Sequence, residues 1–299
     1  AAMALLNDPN IEKNDVSVPA GYDASRSDDK GDESMAGQGN PVVLGAGGPD
    51  AFGYVWIDSD ETGGPIYNWM EISGIGTDQG LVGDDASVDV ALPFAFDFYG
   101  ETKTTVKVSS NGYLTFGGDG TDYSNDPIPT ATDPNDFIAP FWDDLRFVSG
   151  TSHLYTYDGG NYFVVQFQDV ERLGSAQWNT FQVILYANGR ILFQYHTFNT
   201  TTLNSATVGI ENSNASDGLQ VVYNANYLHE DLAILLFAPD HFIVDVDPFW
   251  GLIEAGETVD VTMTYSSEGF DEGSYNEDLF ISTNEMPIDA WNIPNTMYV

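Results

Sequence analysis

Three observations predict an antiparallel all-β fold. First, Val88, Val90, Leu92, Phe94, Phe96 and Phe98 fall at every second position, the period of a strand with one buried face and one that cannot gather a single face on a helix. Second, Val106 and Val108 alternate into Asn111-Gly112, and Tyr113-Leu-Thr-Phe116 leaves on the far side; Asn-Gly between apolar runs marks a tight hairpin, so the two arms are expected to pair. Third, short apolar runs separated by Gly and Asn corners continue to the end of the chain with no helical period anywhere, the pattern of a sandwich or barrel.

Composition narrows the setting. The chain has 299 residues, enough for two ordinary domains with buried cores. It has no cysteine, so stability rests on packing, bound ions or assembly rather than on disulfides or thiolate metal sites. Forty-six acidic residues against eight Lys plus Arg give a formal charge of −38, a self-repelling field that disfavours nucleic acid and anionic membrane surfaces. Multivalent cations or high salt would relieve it, so calcium binding competes with plain solubility or adaptation to a saline habitat as the reason for the acidity. No run of 18 apolar residues exists, which argues against a helical membrane span. Ala1 to Leu6 is too short and lacks the basic flank of a secretory leader, so any leader is expected to have been removed.

Taken in order, residues 1–48 are poor in apolar groups and rich in Asp, Ser and Gly, which reads as an acidic extended arm or linker. Its islands Val16-Ser-Val18 and Val42-Val-Leu44 are short enough to add to a sheet edge, on this chain or a neighbour. Residues 49–238 form the main unit. Tyr54 to Ile57 is a strand, and Asp58 to Pro65 is turn chemistry throughout. There Asp58, Asp60 and Glu61 gather carboxylates on one loop, which suits a hard cation taking oxygen ligands, although the spacing is not that of an EF-hand. The acidic segment from Gly117 to Asp136 has no periodicity, as expected of a functional or disordered loop. Strands then follow in quick succession at 153–157, 162–168, 180–186, 190–195, 206–211, 219–223 and 232–237. Gln166, Gln168, Gln182 and Gln194 alternate with aromatics, so one sheet face is expected to be polar and wet. At Pro239 the pattern resets, and residues 239–299 read as a small immunoglobulin-like β-sandwich following the first one.

The runs Leu92-Pro-Phe94, Phe98-Tyr-Gly100, Ser110-Asn-Gly-Tyr-Leu-Thr-Phe116, Ile138-Ala-Pro-Phe-Trp-Asp-Asp-Leu145, Thr180-Phe-Gln-Val-Ile-Leu185 and Ala206-Thr-Val-Gly-Ile-Glu-Asn212 resemble the nidogen-like β-sandwich module of large secreted bacterial proteins. The C-terminal piece, with Gly251-Leu-Ile-Glu-Ala-Gly256, Gly273-Ser-Tyr275 and Ile281-Ser-Thr-Asn284, is similar to the immunoglobulin-like repeats found beside it, although Asn284-Glu-Met-Pro287 stands where an Asn-Asp-Pro turn is usual. The resemblance implies modules that often flank a subtilisin-like or metalloprotease domain or precede a sorting domain, and it carries no catalytic residue onto this chain.

A search for chemistry points the same way. No Gly-x-Ser-x-Gly elbow and no Gly-Lys-Ser phosphate loop is present, and His229-Glu-Asp-Leu-Ala233 lacks the second histidine of a zinc helix. His153, His196, His229 and His241 are scattered, as expected of sheet-surface residues. Asp143-Asp144 after Phe141-Trp142 is the most pointed carboxylate pair, read either as a strand-end turn capping backbone N–H groups or as calcium ligands. Trp56, Trp142 and Trp250 sit in apolar runs and are expected in the core; Trp178 is the candidate for stacking on a ligand such as a sugar ring. Asn199-Thr-Thr201 and Asn214-Ala-Ser216 match a glycan acceptor pattern and indicate surface loops. These readings converge on a non-catalytic, extracellular or cell-surface structural or adhesive module, stabilised by calcium and contacting other protein subunits or a cell-surface polymer. Two alternatives stand beside it: an accessory segment of a secreted hydrolase, and a filament or homo-oligomer subunit joined by donation of the N-terminal arm.

Overall fold

The computed structural model describes residues 45–199, 203–238, 243–247, 258–265, 274–282 and 290–298. Residues 1–44 of the N-terminal arm, Trp250, His241 and the Asn284 turn lie outside them, while the end of the arm forms a short strand, Ala46–Gly47, paired with Trp56 and Ile57. Every regular element described is a β-strand, and no helix among the described residues is long and apolar enough to cross a membrane. In chain order the strands are β1 (Ala46–Gly47), β2 (Val55–Asp58), β3 (Thr77–Asp78), β4 (Gly83–Asp84), β5 (Ser87–Phe98), β6 (Glu101–Ser109), β7 (Leu114–Thr115), β8 (Phe137–Trp142), β9 (Leu145–Phe147) and β10 (His153–Asp158). There follow β11 (Tyr162–Arg172), β12 (Gln177–Tyr186), β13 (Ile191–Phe198), β14 (Thr207–Glu211), β15 (Gly218–Tyr223), β16 (Leu232–Phe237), β17 (Ile243–Asp247), β18 (Thr262–Tyr265), β19 (Ser274–Ser282) and β20 (Ala290–Tyr298).

Two antiparallel sheets make the main unit. The larger runs β1-β2-β16-β13-β12-β11-β10-β3, with β9 joining β11 and β4 joining β9; the smaller runs β15-β14-β8-β7-β6-β5. The alternation along β5 does what its period requires. Val90, Leu92, Phe96 and Phe98 are buried while Asp89, Ala91, Pro93 and Asp97 face solvent. Inner faces of both sheets merge in one core, where Val106, Phe141 and Val208 of the smaller sheet meet Phe167, Phe181 and Phe193 of the larger. Aromatic rings carry much of the contact across the gap: Phe141 packs edge-on against Phe181 at 5.7 Å and tilted against Phe198 at 5.4 Å. Tyr195, fully buried in this apolar layer, places its hydroxyl by donating to Pro140 O at 2.7 Å.

The glutamine face is not wet. Gln166, Gln182 and Gln194 stand opposite one another on β11, β12 and β13 and are all buried. What buries them is an extended strap, residues 66–73, which has no strand partner and so would leave its backbone polar groups unpaired. The glutamine amides supply the partners. Gln194 Oε1 accepts from Asn68 N at 2.8 Å, and Gln166 Oε1 from Ile72 N at 3.3 Å. Between them the Gln182 amide donates to Met70 O at 3.2 Å and accepts from Met70 N at 3.1 Å. Met70 and Ile72 then pack on Val164, Ile184, Leu192 and Leu235 of the outer face. Gln182→Leu keeps the volume but strands both Met70 groups, and is expected to cost ~1–3 kcal/mol. Urea denaturation together with hydrogen exchange at the Met70 amide checks this, with exchange rising more steeply than at core amides of β12.

The acidic segment 117–136 likewise covers the outer face of the smaller sheet. Ile128 is buried there with Tyr113, Phe137, Ala139 and Trp142. The segment is pinned by side chains: Asn125 Nδ2 donates to Thr207 Oγ1 and Asn224 Oδ1, both at 2.9 Å, and Ile128 N donates to Gln220 Oε1 at 3.0 Å. Gly218 makes room for it, since a Cβ at that position would lie 2.5 Å from Ile128 Cγ2. In the C-terminal region the described residues form two strand pairs, β17 with β18 and β19 with β20. Tyr265 OH donates to Asn295 Oδ1 at 2.9 Å between them.

Candidate functional site

The Asn111-Gly112 turn does more than join β6 to β7. Asn111 is fully buried and plugs into the bend between β8 and β9: its Oδ1 accepts from Leu145 N at 3.0 Å and its backbone O from Asp143 N at 3.2 Å. Its Nδ2 donates to Asp85 Oδ1 at 3.0 Å, reaching the corner between β4 and β5. Three chain segments distant in sequence are thereby held against one another. At their junction Asp84, Asp85 and Asp144 each place a carboxylate oxygen within 4.8 Å of the others, the one convergent acidic group among the described residues.

Three like charges at that spacing repel. Burial, and then the Asp85 charge, push the Asp84 carboxyl up, while Arg146 across the β4–β9 pair pulls it down. Arg146 is drawn elsewhere, with Nε 2.6 Å from Glu171 Oε2. Carboxylate oxygens brought together from two chain segments, the Asp84-Asp85 corner and Asp144 in the β8–β9 bend, suit a hard cation such as calcium, which takes carboxylate, carbonyl and water ligands together.

The two acids after Trp142 divide their roles. Asp144 joins the convergent group. Asp143 is fully buried and turned inward, accepting from Asp144 N at 2.7 Å and from Ser205 Oγ at 2.5 Å, with Arg172 Nε at 3.6 Å. That is the strand-end cap of the sequence analysis. In the other predicted loop each acid takes a local partner, and the charges of Asp60 and Glu61 act on Asp58. Asp58 is buried, accepts from Tyr227 OH and from Asp60 N at 3.0 Å, and has its carboxyl pushed up chiefly by burial. Asp60 meets His229 Nε2 at 3.0 Å, and Glu61 accepts from Gly45 N at 3.3 Å. Each of these carboxylates thus has its own donor, and the three are not the convergent group.

Trp178 is half-buried on β12, opposite Glu171 in the register. Trp56 and Trp142 are core residues, as their apolar surroundings implied. The described histidines have surface partners: His153 with Asp78 at 2.8 Å, His229 with Asp60, and His196 with Tyr67 OH at 3.1 Å and stacked on Trp69 at 4.7 Å. Sequence reasoning missed Asp84 and Asp85. Their only local signal was a Gly83-Asp-Asp corner ahead of the alternating run, one acidic turn among many.

Fold and site together define an antiparallel β-sandwich module, both of whose outer faces carry irregular covering segments and whose surface bears a convergent carboxylate group. The NIDO-related family model matches residues 64–231, more than half of the 299 residues, and the chain belongs to that family. The matched span begins at the glutamine-held strap and ends just before β16. Comparisons with curated proteins and with solved structures gave no match.

Proposed function

We propose that this chain is an extracellular structural or adhesive surface module in which calcium, bound by Asp84, Asp85 and Asp144, neutralises part of the acidic surface and locks the junction of β4, β8 and the Asn111 turn. The observation that carries the reading is the convergence of those carboxylates on a sandwich that matches a NIDO-related domain. The formal charge of −38 supports it, because an uncompensated field of that size opposes both compaction and contact with other acidic surfaces. Partners are other protein subunits or a cell-surface polymer, reached through sheet edges such as β5, which pairs on one side only.

Sedimentation velocity and electron micrographs of the full chain, in calcium and in chelator, test the assembly reading beside a variant lacking residues 1–47. Calcium-dependent oligomers or filaments that need the arm identify a subunit joined by strand donation. A calcium-dependent species of unchanged size that binds an immobilised polysaccharide or protein surface identifies an adhesive module. A monomer indifferent to calcium and to both kinds of surface would overturn the proposal.

A further inference from the structure

Glu211, at the end of β14, is a buried acid that the calcium site does not use. Its side chain is fully buried; Oε2 accepts from Thr130 N at 2.7 Å, and Oε1 has no hydrogen-bond partner. Register places Phe137 on one side of it and Gly218 on the other, so neither flanking strand brings a cation. From the covering segment Asp126 faces it with a like charge. Asp136 and Asp217 are near in the fold, but the first is paired with Lys103 at 2.7 Å and the second accepts from Ala51 N and Phe52 N. Lys107, Arg146 and Arg172 are committed to Asp89, Glu171 and Asp143.

A carboxylate in that position would be a buried charge with one donor for two oxygens, which is costly unless the group neutralises or reaches water. We propose that Glu211 is held as a neutral carboxylic acid and acts as a proton latch: losing the proton drives the segment Asn125 to Thr130 away from the smaller sheet and exposes the apolar surface beneath Ile128. Burial pushes the Glu211 carboxyl up to about 8, against the pull of the Thr130 N–H. With the segment open the same carboxyl returns to about 4.5. The closed state therefore binds one more proton than the open state between those values, and closure weakens as pH rises through that window and levels off above it.

Hydrogen exchange of a peptide spanning residues 125–132 tests the latch, with the full chain in chelator at about pH 5 and about pH 7.5 and rates corrected for intrinsic base catalysis. Protection in the wild type is expected to fall at least ~10-fold between the two, since each unit of pH inside the window changes the equilibrium up to tenfold. Glu211→Gln cannot lose a proton and is expected to show no such fall. Equal falls in both proteins, or none in the wild type, overturn the proposal. Should E211Q fail to fold, the carboxyl carbon resonance of Glu211 in the wild type decides: a midpoint above about 6 supports the latch and one at or below about 6 contradicts it.

Discussion

Gly112→Ala is expected to destabilise the sandwich by at least ~4 kcal/mol, an effect out of proportion to one methyl group. Gly112 has φ of +78°, and a Cβ there would stand 2.0 Å from Phe141 O and 2.9 Å from Leu145 Cδ1. Neither obstacle can move freely, because Phe141 N donates back to Gly112 O at 3.2 Å and Leu145 N to Asn111 Oδ1. Relief requires the turn to withdraw from the β8–β9 bend, which also releases Asp85 and disperses the carboxylate group. Gly118→Ala is the control: φ is +69°, but nothing lies within 4 Å of its Cβ, so only the backbone cost of ~1–2 kcal/mol applies. Urea denaturation midpoints measure both. Equal losses would mean that the turn is not a plug.

Phe181→Ala is the second large loss, expected at ~3–5 kcal/mol. Its ring is fully buried, stacked on Phe167 at 4.6 Å within its own sheet and edge-on to Phe141 across the gap. Truncation opens a cavity where the two sheets meet, and neighbours fixed in both ladders collapse into it only partly. Phe52→Ala, at a ring 38 % exposed, is expected to cost far less. Comparable losses at the two positions would contradict the placement of the core.

How much of this was readable beforehand follows from what each feature depends on. The period of β5 and the apolar runs of β11 to β16 report local burial, and a strand needs no distant information to show it. The glutamines were read with the right alternation and the wrong environment. Gln194 is 126 residues from Asn68, and Gln166 is 94 from Ile72; the strap that buries them has no periodicity to announce it. The packing of the acidic segment 117–136 onto its sheet was hidden for the same reason, since its anchors are single side chains such as Asn125 and Ile128 rather than a pattern. In the carboxylate group Asp144 was visible as half of a conspicuous pair. Asp84 and Asp85 became relevant only when Asn111 drew β4 toward the β8–β9 bend, a juxtaposition made by topology and invisible to composition in a chain with 46 acids.

The most direct measurement is a pair of calorimetric scans of the full chain, in calcium and in chelator, repeated on Asp144→Asn. Binding at about one hundred times Kd adds ~2.7 kcal/mol to the folded state, which raises Tm by roughly 5–10 °C in a domain of this size. The account predicts that rise in the wild type and its loss, or a strong reduction, in D144N, whose chelated scan matches or exceeds the wild type because one repelling charge is gone. Superimposable wild-type scans, or an undiminished calcium shift in D144N, would contradict it.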